Sequence, residues 1–477
     1  MLNKHIIARL FAVCSTALLL AACKPGIVIE PPPPGTPLFK VNLTWGITNT
    51  QYSWWNGGNT AASQAAGALL KSVASIYNVF IMGWGPGNPW PSKDAPYDFS
   101  GIKARVDLAA SLGGVLWISF CTAPGWMKVA GYDSLSDTQK DAADWNMDLA
   151  PLPGNEDDFA ALCAAVAKAF PQVKVFQVWN EFKGMWTAQG TLDYGRYTRL
   201  YNKVYSAVKA VRPDAQIGGF YAVLEGDGTR AVFGDLVPDS KHSAEPLIDE
   251  SKEAIAYFTQ NAVGLDYFLV DRSNVDYHND GYNPDSSGTF RPSRDQAMLL
   301  TKYFQKATAE VAEMTGKPIV WSEYYGTYGD DNAAEFMPLN SQYIAAHYAS
   351  IIYNMIMGAA GRDLYALLWV EQDYVIRHAL FTDTNRAGGG IATPHYAAMK
   401  KLLDNFPKGT MLYSAAISSP GVSADDLGDV VEALVSDKAV LLINKTNTEL
   451  RVTVNGVNYD LAPYAVDVEV LEPDNNP

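Results

Sequence analysis

Two glutamates stand at the ends of two apolar segments and could act together on one bond. Residues 173–178 are mostly apolar and lead to Trp179-Asn180-Glu181, and residues 317–320 lead in the same way to Trp321-Ser322-Glu323. Short apolar runs predict strands that are buried on both faces. One such glutamate is as consistent with an ordinary strand end as with catalysis. A second in the same setting favours catalysis, because parallel barrels carry their catalytic groups at the C-terminal ends of strands.

Paired carboxyl groups of this kind suit the hydrolysis of a glycosidic bond. One carboxyl must protonate the leaving oxygen, while the other attacks the sugar or activates water. The two groups lie about 5–5.5 Å apart in retaining enzymes and about 6.5–9.5 Å apart in inverting ones. We expect Glu181 and Glu323 to flank a single bond if the fold brings the two strand ends to one opening.

The elements that must position these glutamates alternate between strands and helices from residue 40 to residue 406. The clearest helix follows residue 155, with acidic residues in its first turn and an apolar stripe at helical spacing. The other predicted strands cover residues 41–47, 78–83, 115–120, 215–219, 265–270 and 364–370. Eight strands separated by helices or long connections predict a parallel (β/α)8 barrel. An open doubly wound sheet is the alternative, but no glycine-rich phosphate fingerprint follows any early strand.

The pattern changes at residue 407, after which shorter segments alternate like strands. These segments cover residues 430–434, 439–443, 450–454 and 464–470, and Asn455-Gly456 is a strong hairpin signal. We expect residues 407–477 to form a small β-sandwich. All 12 tryptophans lie between Trp45 and Trp369, so the sandwich lacks an evident stacking platform for sugars, and we interpret it as structural.

Residues 1–23 have the features of a secretion signal. Lys4 and Arg9 precede a mostly apolar segment that ends in Leu20-Ala21-Ala22-Cys23. This ending resembles a bacterial lipobox, which implies that Cys23 carries lipid and becomes the first mature residue. An ordinary secretory peptide cut nearby is the alternative. Residues 24–39 are rich in proline and predict a stiff tether, so we expect a lipid-anchored protein of the bacterial cell envelope, at the outer membrane or the cell surface.

Composition argues against several other functions. The chain carries a net charge of −15 and no run of Lys or Arg, so nucleic acid is not an expected partner. Apart from Cys14 and Cys23 it contains only Cys121 and Cys163, which suggest neither a disulfide framework nor a metal cluster. The six histidines show no metal-binding spacing. We expect no cofactor and no metal, and the oligomeric state is left open.

The two glutamate motifs resemble those of the clan A glycoside hydrolases, which are retaining (β/α)8 enzymes. Within this clan the chain is most similar to family 39, and the resemblance covers roughly residues 40–470. Residues 197–201, 212–219 and 393–400 support it. The resemblance implies that Glu181 is the general acid/base and Glu323 the nucleophile. It also implies that Asn180 contacts the 2-hydroxyl group of the sugar.

Further residues could bind the substrate. Five tryptophans at or near predicted strand ends could stack on sugar rings: Trp45, Trp84, Trp126, Trp186 and Trp369. For any one of these tryptophans, a role in the protein core is as consistent with the sequence as sugar binding. Of the five together, we expect three or more to line the cleft. Where the clan usually carries a His or Tyr after strand six, this chain has Val270-Asp271-Arg272. We assign Asp271 to substrate binding, and this departure leaves a xylosidase specificity open.

These observations predict a retaining glycoside hydrolase that cleaves O-glycosidic bonds in a poly- or oligosaccharide through a two-glutamate double displacement. Family 39 includes β-xylosidases, α-L-iduronidases and hydrolases of bacterial exopolysaccharides. A non-catalytic sugar-binding lipoprotein on a barrel scaffold is one alternative, and a barrel enzyme of another class, such as a lyase, is a second. The sequence determines neither the sugar nor the linkage, nor whether cleavage is endo or exo.

Overall fold

The computed structural model describes residues 35–50, 53–55, 58–189, 191–224, 249–273, 294–326, 341–369, 371–373 and 379–471. Within these residues, parallel strands close into an eight-stranded barrel, and antiparallel sheets follow it. The predicted fold, a (β/α)8 barrel with a C-terminal β-sandwich, is confirmed. The predicted signal, Cys23 and most of the predicted tether lie outside the described residues.

The barrel strands are short and mostly apolar, as expected where helices cover one face of a sheet and side chains fill the other. They are β1 (Leu43–Asn49), β2 (Ile76–Phe80), β3 (Val115–Phe120), β4 (Val175–Val178), β5 (Gln216–Val223), β6 (Tyr267–Ser273), β7 (Ile319–Tyr325) and β8 (Leu364–Trp369). Neighbouring strands pair in parallel, and β8 pairs with β1 to close the barrel, with Leu43 opposite Leu364. All eight C-terminal strand ends therefore meet at one opening.

Helices alternate with the strands around the outside of the barrel. They are α1 (Ala61–Lys71), α2 (Ser100–Ser111), α3 (Glu156–Ala169), α4 (Tyr194–Val211), α5 (Asp249–Asn261), α6 (Lys302–Thr315), α7 (Gln342–Ala359) and α8 (Pro394–Asn405). Several begin at a residue whose side chain accepts a hydrogen bond from the first turn, as Thr60 does for α1 and Thr393 for α8. Such caps satisfy N–H groups that have no partner inside the helix.

The sequence predicts one helix over residues 294–314, but the structure has two. A short helix, Arg294–Leu300, is separated from α6 by a single residue. The interruption lies at Thr301, whose backbone N–H donates to the carbonyl of Met298, three residues earlier. In a regular α-helix this bond would reach the residue four positions earlier. The Thr301 hydroxyl donates to the same carbonyl at 2.7 Å and also contacts the Ser350 hydroxyl of α7. Side-chain hydrogen bonds of this kind compete with the regular helical pattern.

The C-terminal region consists of two three-stranded antiparallel sheets that face each other across an apolar core. Its strands are β9 (Met411–Tyr413), β10 (Ile417–Ser418), β11 (Val431–Val435), β12 (Ala439–Asn444), β13 (Leu450–Val454), β14 (Val457–Leu461) and β15 (Val466–Val470). One sheet has the order β10-β13-β14 and the other β11-β12-β15. Val440 and Leu442 of the second sheet pack with Val452 and Val454 of the first. Strand β9 pairs instead with the segment Pro37–Lys40.

Candidate active site

The barrel brings three carboxyl groups together at the C-terminal ends of its strands. Glu181 follows β4, Asp271 lies on β6 and Glu323 lies on β7. One carboxylate oxygen of each residue lies within 4.8 Å of those of the other two. The predicted pairing of Glu181 with Glu323 at one opening is therefore present in the structure, and Asp271 joins it.

The chain after β4 takes an unusual path that directs Glu181 into the opening. Trp179, Glu181 and Phe182 have φ angles of 71°, 51° and 56°, in the left-handed region that costs residues other than glycine about 1–2 kcal/mol each. Packing holds this path in place. The Trp179 indole N–H donates to the carbonyl of Lys183 at 2.9 Å, and the Phe182 ring stacks on Tyr197 at 4.4 Å. Strain of this kind is typical of functional sites.

Glu323 is held in place by hydrogen bonds from β1 to both of its neighbours in sequence. The Thr48 hydroxyl donates to the carbonyl of Ser322 at 2.7 Å, and the Trp45 indole N–H donates to the Tyr324 hydroxyl at 2.6 Å. Glu323 itself is buried. The β7 backbone therefore presents this carboxylate with little freedom.

Tyr221 is a site residue that the sequence analysis missed. Its hydroxyl donates to Oε1 of Glu323 at 2.9 Å. The strand predicted over residues 215–219 stops two residues short of it, whereas β5 continues to Val223. The pairing of β5 with β6 shifts register between Phe220 and Ala222, and Tyr221 has a φ of 38°. Such a bulge re-aims a side chain, and periodicity in the sequence does not reveal it.

Lys183 is the second missed residue, and it supplies a positive charge beside the acid. Its ammonium group forms an ion pair with Glu181 and donates to Oδ1 of Asn180 at 3.2 Å. It also lies 4.8 Å from the centroid of the Trp84 ring, in a cation–π contact. Burial lowers the pKa of Lys183, but Glu181 and the other two carboxylates more than offset this, and the pKa is raised overall. Lys183 is therefore positively charged at neutral pH.

Asn180 has one amide group available for a ligand. It is buried, and its Nδ2 donates to no acceptor among the described residues. Its Oδ1 is already bound by Lys183, which fixes the orientation of the amide. A buried N–H without a partner is costly, and a sugar hydroxyl would satisfy it.

Burial and mutual repulsion make two of the carboxyl groups weak acids. Burial first, and then the neighbouring Glu181, raise the pKa of Glu323 to about 8, although Lys183 and the Tyr221 hydrogen bond work in the opposite direction. The same two causes raise the pKa of Asp271 well above its usual value. Carboxyl groups this close titrate as a unit, so the cluster retains protons at neutral pH.

The cluster has the size of a cation site, but its chemistry is explained without one. The ammonium group of Lys183 balances the charge of Glu181. The raised pKa of Asp271 means that this carboxyl group holds a proton more readily, which reduces the negative charge of the cluster. Acidic groups alone do not establish a metal centre. We therefore do not treat these residues as metal ligands.

No family model and no curated protein matches the chain, whereas many solved structures do. A monomeric β-xylosidase from Caulobacter crescentus CB15 is 16% identical with a TM-score of 0.53, and the match covers 86% of this chain and 75% of that one. The GH39 enzyme from Xanthomonas axonopodis pv. citri is 14% identical with a TM-score of 0.51, covering 86% and 73%. The catalytic domain of GH30 xylanase C from Talaromyces cellulolyticus is 12% identical with a TM-score of 0.50, covering 87% of each chain.

These likenesses show a shared fold. The shared fold is the barrel architecture that the resemblance to clan A implies.

Four of the five predicted tryptophans lie at the opening, where strands end or in the loops that follow. Trp84 follows β2 and borders Lys183, Trp126 follows β3, Trp186 follows β4, and Trp369 is the last residue of β8, with its ring 5.3 Å from that of Tyr325. Trp186 is half exposed. Stacking of these rings on a sugar stays a prediction. Trp45 differs because it lies within the body of β1, is buried and contacts Tyr324.

Glu371 is a further acidic residue after a strand, and its contacts indicate a structural role. It is fully buried just after β8. Its carboxylate accepts hydrogen bonds from the backbone N–H of Trp54 at 2.8 Å and from the Ser53 hydroxyl at 3.2 Å. Burial raises its pKa to about 7, against the effect of these hydrogen bonds. Glu371 thus fixes part of the connection after β1.

Proposed function

We propose that the chain is a retaining glycoside hydrolase that cleaves O-glycosidic bonds in a poly- or oligosaccharide. The observation that carries this proposal is the approach of Glu181 and Glu323 to within 4.8 Å at the opening of a closed barrel. Inverting enzymes need about 6.5–9.5 Å between the two carboxyl groups to admit a water molecule, whereas retaining enzymes need about 5–5.5 Å. The shorter separation supports direct attack by one carboxylate.

In the first half-reaction, Glu323 attacks the anomeric carbon while Glu181 gives its proton to the leaving oxygen. The glycosidic bond breaks, and an ester forms between the sugar and Glu323. The hydrogen bond from Tyr221 favours the ionised, attacking form of Glu323. Asn180 Nδ2, which donates to no acceptor among the described residues, is assigned the contact with the 2-hydroxyl group that the resemblance implies.

In the second half-reaction, Glu181 acts as a base. It takes a proton from a water molecule that attacks the same anomeric carbon, and Glu323 leaves as a carboxylate. Two inversions at one carbon restore the original configuration. Lys183 keeps Glu181 ionised between the two half-reactions, so that the carboxylate is available as the base.

The test is a panel of soluble polysaccharides and aryl glycosides, scored by new reducing ends and by NMR of the first product. Xylosides and xylan come first because a β-xylosidase and a xylanase are among the structures that the fold matches. Product with the configuration of the substrate supports the proposal. An inverted product contradicts the mechanism, and sugar binding without cleavage would favour the non-catalytic alternative.

We also propose that Cys23 anchors the enzyme in an envelope membrane. The support is the Leu-Ala-Ala-Cys ending and the proline-rich tether after it. Among the described residues, no helix has the length and apolar character needed to cross a membrane. Cys23→Ser should move the protein from the membrane fraction to the soluble fraction of the producing bacterium. An unchanged distribution in that fractionation would contradict the lipid anchor.

A further inference from the structure

Asp271 is a third carboxylate at the site, and the two-glutamate mechanism gives it no task. It is 1% exposed, and neither of its carboxylate oxygens accepts a hydrogen bond from a described donor. Burying an ionised carboxylate without a donor is costly. Its close neighbours are the carboxyl groups of Glu181 and Glu323. A proton held between Asp271 and one of these groups would remove the cost.

Glu181 is the better partner for such a proton. Glu323 already accepts a hydrogen bond from Tyr221, which stabilises its ionised form. Glu181 must instead be protonated in the first half-reaction and ionised in the second. Lys183 contacts Glu181 and favours only the ionised form. A second group must therefore favour the protonated form of Glu181. A neighbouring carboxylate has this effect because two negative charges in contact repel each other.

We propose that Asp271 is a positioning residue that shares one proton with Glu181, so that the pair supplies the general acid while Lys183 stabilises the pair after the proton has left. This inference rests on the proposed function. Burial first, and then Glu181, raise the pKa of Asp271 well above its usual value, in the direction that the sharing requires.

Charge is conserved through the cycle under this arrangement. In the active form of the free site, in which Glu323 is ionised, the Asp271–Glu181 pair carries one negative charge, Glu323 carries one, and Lys183 carries one positive charge. When the proton moves to the leaving oxygen, the pair gains a negative charge while Glu323 loses its own by forming the ester. In the second half-reaction water returns a proton to the pair as the ester breaks. The net charge of the site stays at minus one throughout, and no further acid or base is required.

Two other titratable groups that the described strands place near this cluster, Tyr221 and Cys121, are neutral at neutral pH. Tyr221 lies on β5, and burial and then Glu323 raise its pKa well above the usual value. Cys121 follows β3, and burial raises its pKa to about 12. Glu371, after β8, is engaged with Ser53 and Trp54. Lys183 is therefore the charged group whose effect opposes that of Asp271.

The kinetic test compares Asp271→Asn with Lys183→Met, using aryl glycosides of the sugar that the panel identifies. Asp271→Asn should move the alkaline limb of the kcat/KM profile to lower pH by about one unit. It should also slow substrates with poor leaving groups about tenfold to a hundredfold, and dinitrophenyl glycosides little. Lys183→Met should move the same limb to higher pH and lower kcat for dinitrophenyl glycosides. Exposed Asp467→Asn and Lys93→Met serve as matched controls.

Two kinetic outcomes would overturn the proposal. If Asp271→Asn raises KM and leaves the pH limb in place, Asp271 only binds the sugar. If the two variants move the limb in the same direction, the opposition between Asp271 and Lys183 is wrong. Rescue of the profile by Asp271→Glu would support the need for a second carboxyl group.

An infrared measurement separates this inference from the proposed function because it needs no substrate. In a Glu323→Gln background, a protonated carboxyl band should change on both Asp271→Asn and Glu181→Gln. A band that only one of these substitutions alters means that the proton is not shared. If both alter it and the protein with Glu323 intact cleaves no glycoside of the panel, the sharing stands and the hydrolase assignment fails.

Discussion

At the scale of single residues, substitution should distinguish the roles of Glu181 and Glu323, because each variant keeps a different part of the mechanism. Glu181→Ala removes the proton donor and keeps the nucleophile, so substrates with good leaving groups should still form the ester. The loss of rate should grow as the leaving group worsens. For the poorest leaving groups it should approach the factor of about 10²–10⁴ that general acid–base catalysis contributes. Added azide should then speed turnover and give a glycosyl azide of retained configuration.

Glu323→Ala is the matched comparison for that prediction. It removes the attacking carboxylate, so a better leaving group should not restore the normal route. Azide could enter only from the face that Glu323 has vacated, and the product should be inverted. NMR of the two azides decides the matter. An identical response of both variants would show that the two roles are assigned wrongly.

Tyr221 allows a prediction about pH. The hydrogen bond from its hydroxyl lowers the pKa of Glu323, which burial and Glu181 raise to about 8. Tyr221→Phe removes this effect, so the pKa of Glu323 should rise further, and the acidic limb of kcat/KM should move to higher pH. Hydrogen bonds to charged groups contribute about 1.5–3 kcal/mol, which corresponds to a shift of about one unit or more. An unmoved acidic limb would contradict the contact.

Glu181, Glu323 and Asn180 could be found from sequence because each lies within a short motif next to a recognisable strand. Tyr221 could not, because its position depends on a register shift between β5 and β6. Lys183 lies in the loop that the Trp-Asn-Glu motif begins, but its contact with Glu181 depends on backbone turns at positive φ. Long-range register and left-handed turns leave no periodic signal in one sequence.

At the scale of elements, the loop after β4 should depend on Gly184. This residue has a φ of 73°, and a Cβ built on it would lie 2.2 Å from the backbone nitrogen of Ala150. Gly184→Ala should therefore destabilise the loop in two ways. The left-handed conformation costs alanine about 1–2 kcal/mol, and the clash with the Ala150 backbone adds about 1–3 kcal/mol. Because the loop carries Glu181 and Lys183, kcat should fall as well as Tm.

Gly113→Ala is the control for this substitution. Gly113 has a φ of 85°, but a Cβ there would meet nothing within 4 Å. It lies between α2 and β3, at the opposite end of the barrel from the carboxyl groups. Thermal unfolding should show the smaller cost at Gly113, and the rate should be unchanged. Equal losses of Tm and kcat in the two variants would show that the contact with Ala150 does not hold the loop.

The elements themselves follow local rules, which is why most could be predicted. The acidic first turn and apolar stripe of α3 and the Asn455-Gly456 turn, with φ angles of 48° and 88°, are present as expected. The helix break at Thr301 was not predicted, because Thr301 is satisfied by Ser350 of α7, which is distant in sequence. Tertiary contacts of this kind override local propensity.

At the scale of the whole molecule, one face of the sandwich packs into the apolar core of the barrel. Leu441 and Ile443 of β12 belong to the same buried cluster as the barrel residues, and the rings of Tyr343 on α7 and Tyr464 lie 5.2 Å apart. A polar contact crosses the same boundary. Asn354 of α7 donates to Oε1 of Glu432 on β11 at 2.8 Å. The sandwich is thus attached to the barrel through α7, away from the carboxyl groups.

Lys445→Met tests whether this boundary couples the two regions. Lys445 and Glu432 form a buried ion pair at 2.9 Å, with side chains 0% and 3% exposed. Removing only the lysine leaves a buried carboxylate without its countercharge, which costs about 3–5 kcal/mol, whereas replacing both residues by apolar ones is often neutral. We therefore expect Lys445→Met to lower the urea midpoint strongly and Lys445→Met with Glu432→Met to recover most of it. Arg451→Met, which breaks the exposed pair with Asp460, should cost no more than about 1 kcal/mol.

All tryptophans precede residue 370, so their fluorescence reports on the barrel, whereas far-UV circular dichroism reports on both regions. If the barrel and sandwich unfold together, the two signals should give coincident transitions, and Lys445→Met should shift both by the same amount. A shift in circular dichroism with an unmoved fluorescence midpoint would mean that the sandwich unfolds alone and does not stabilise the barrel.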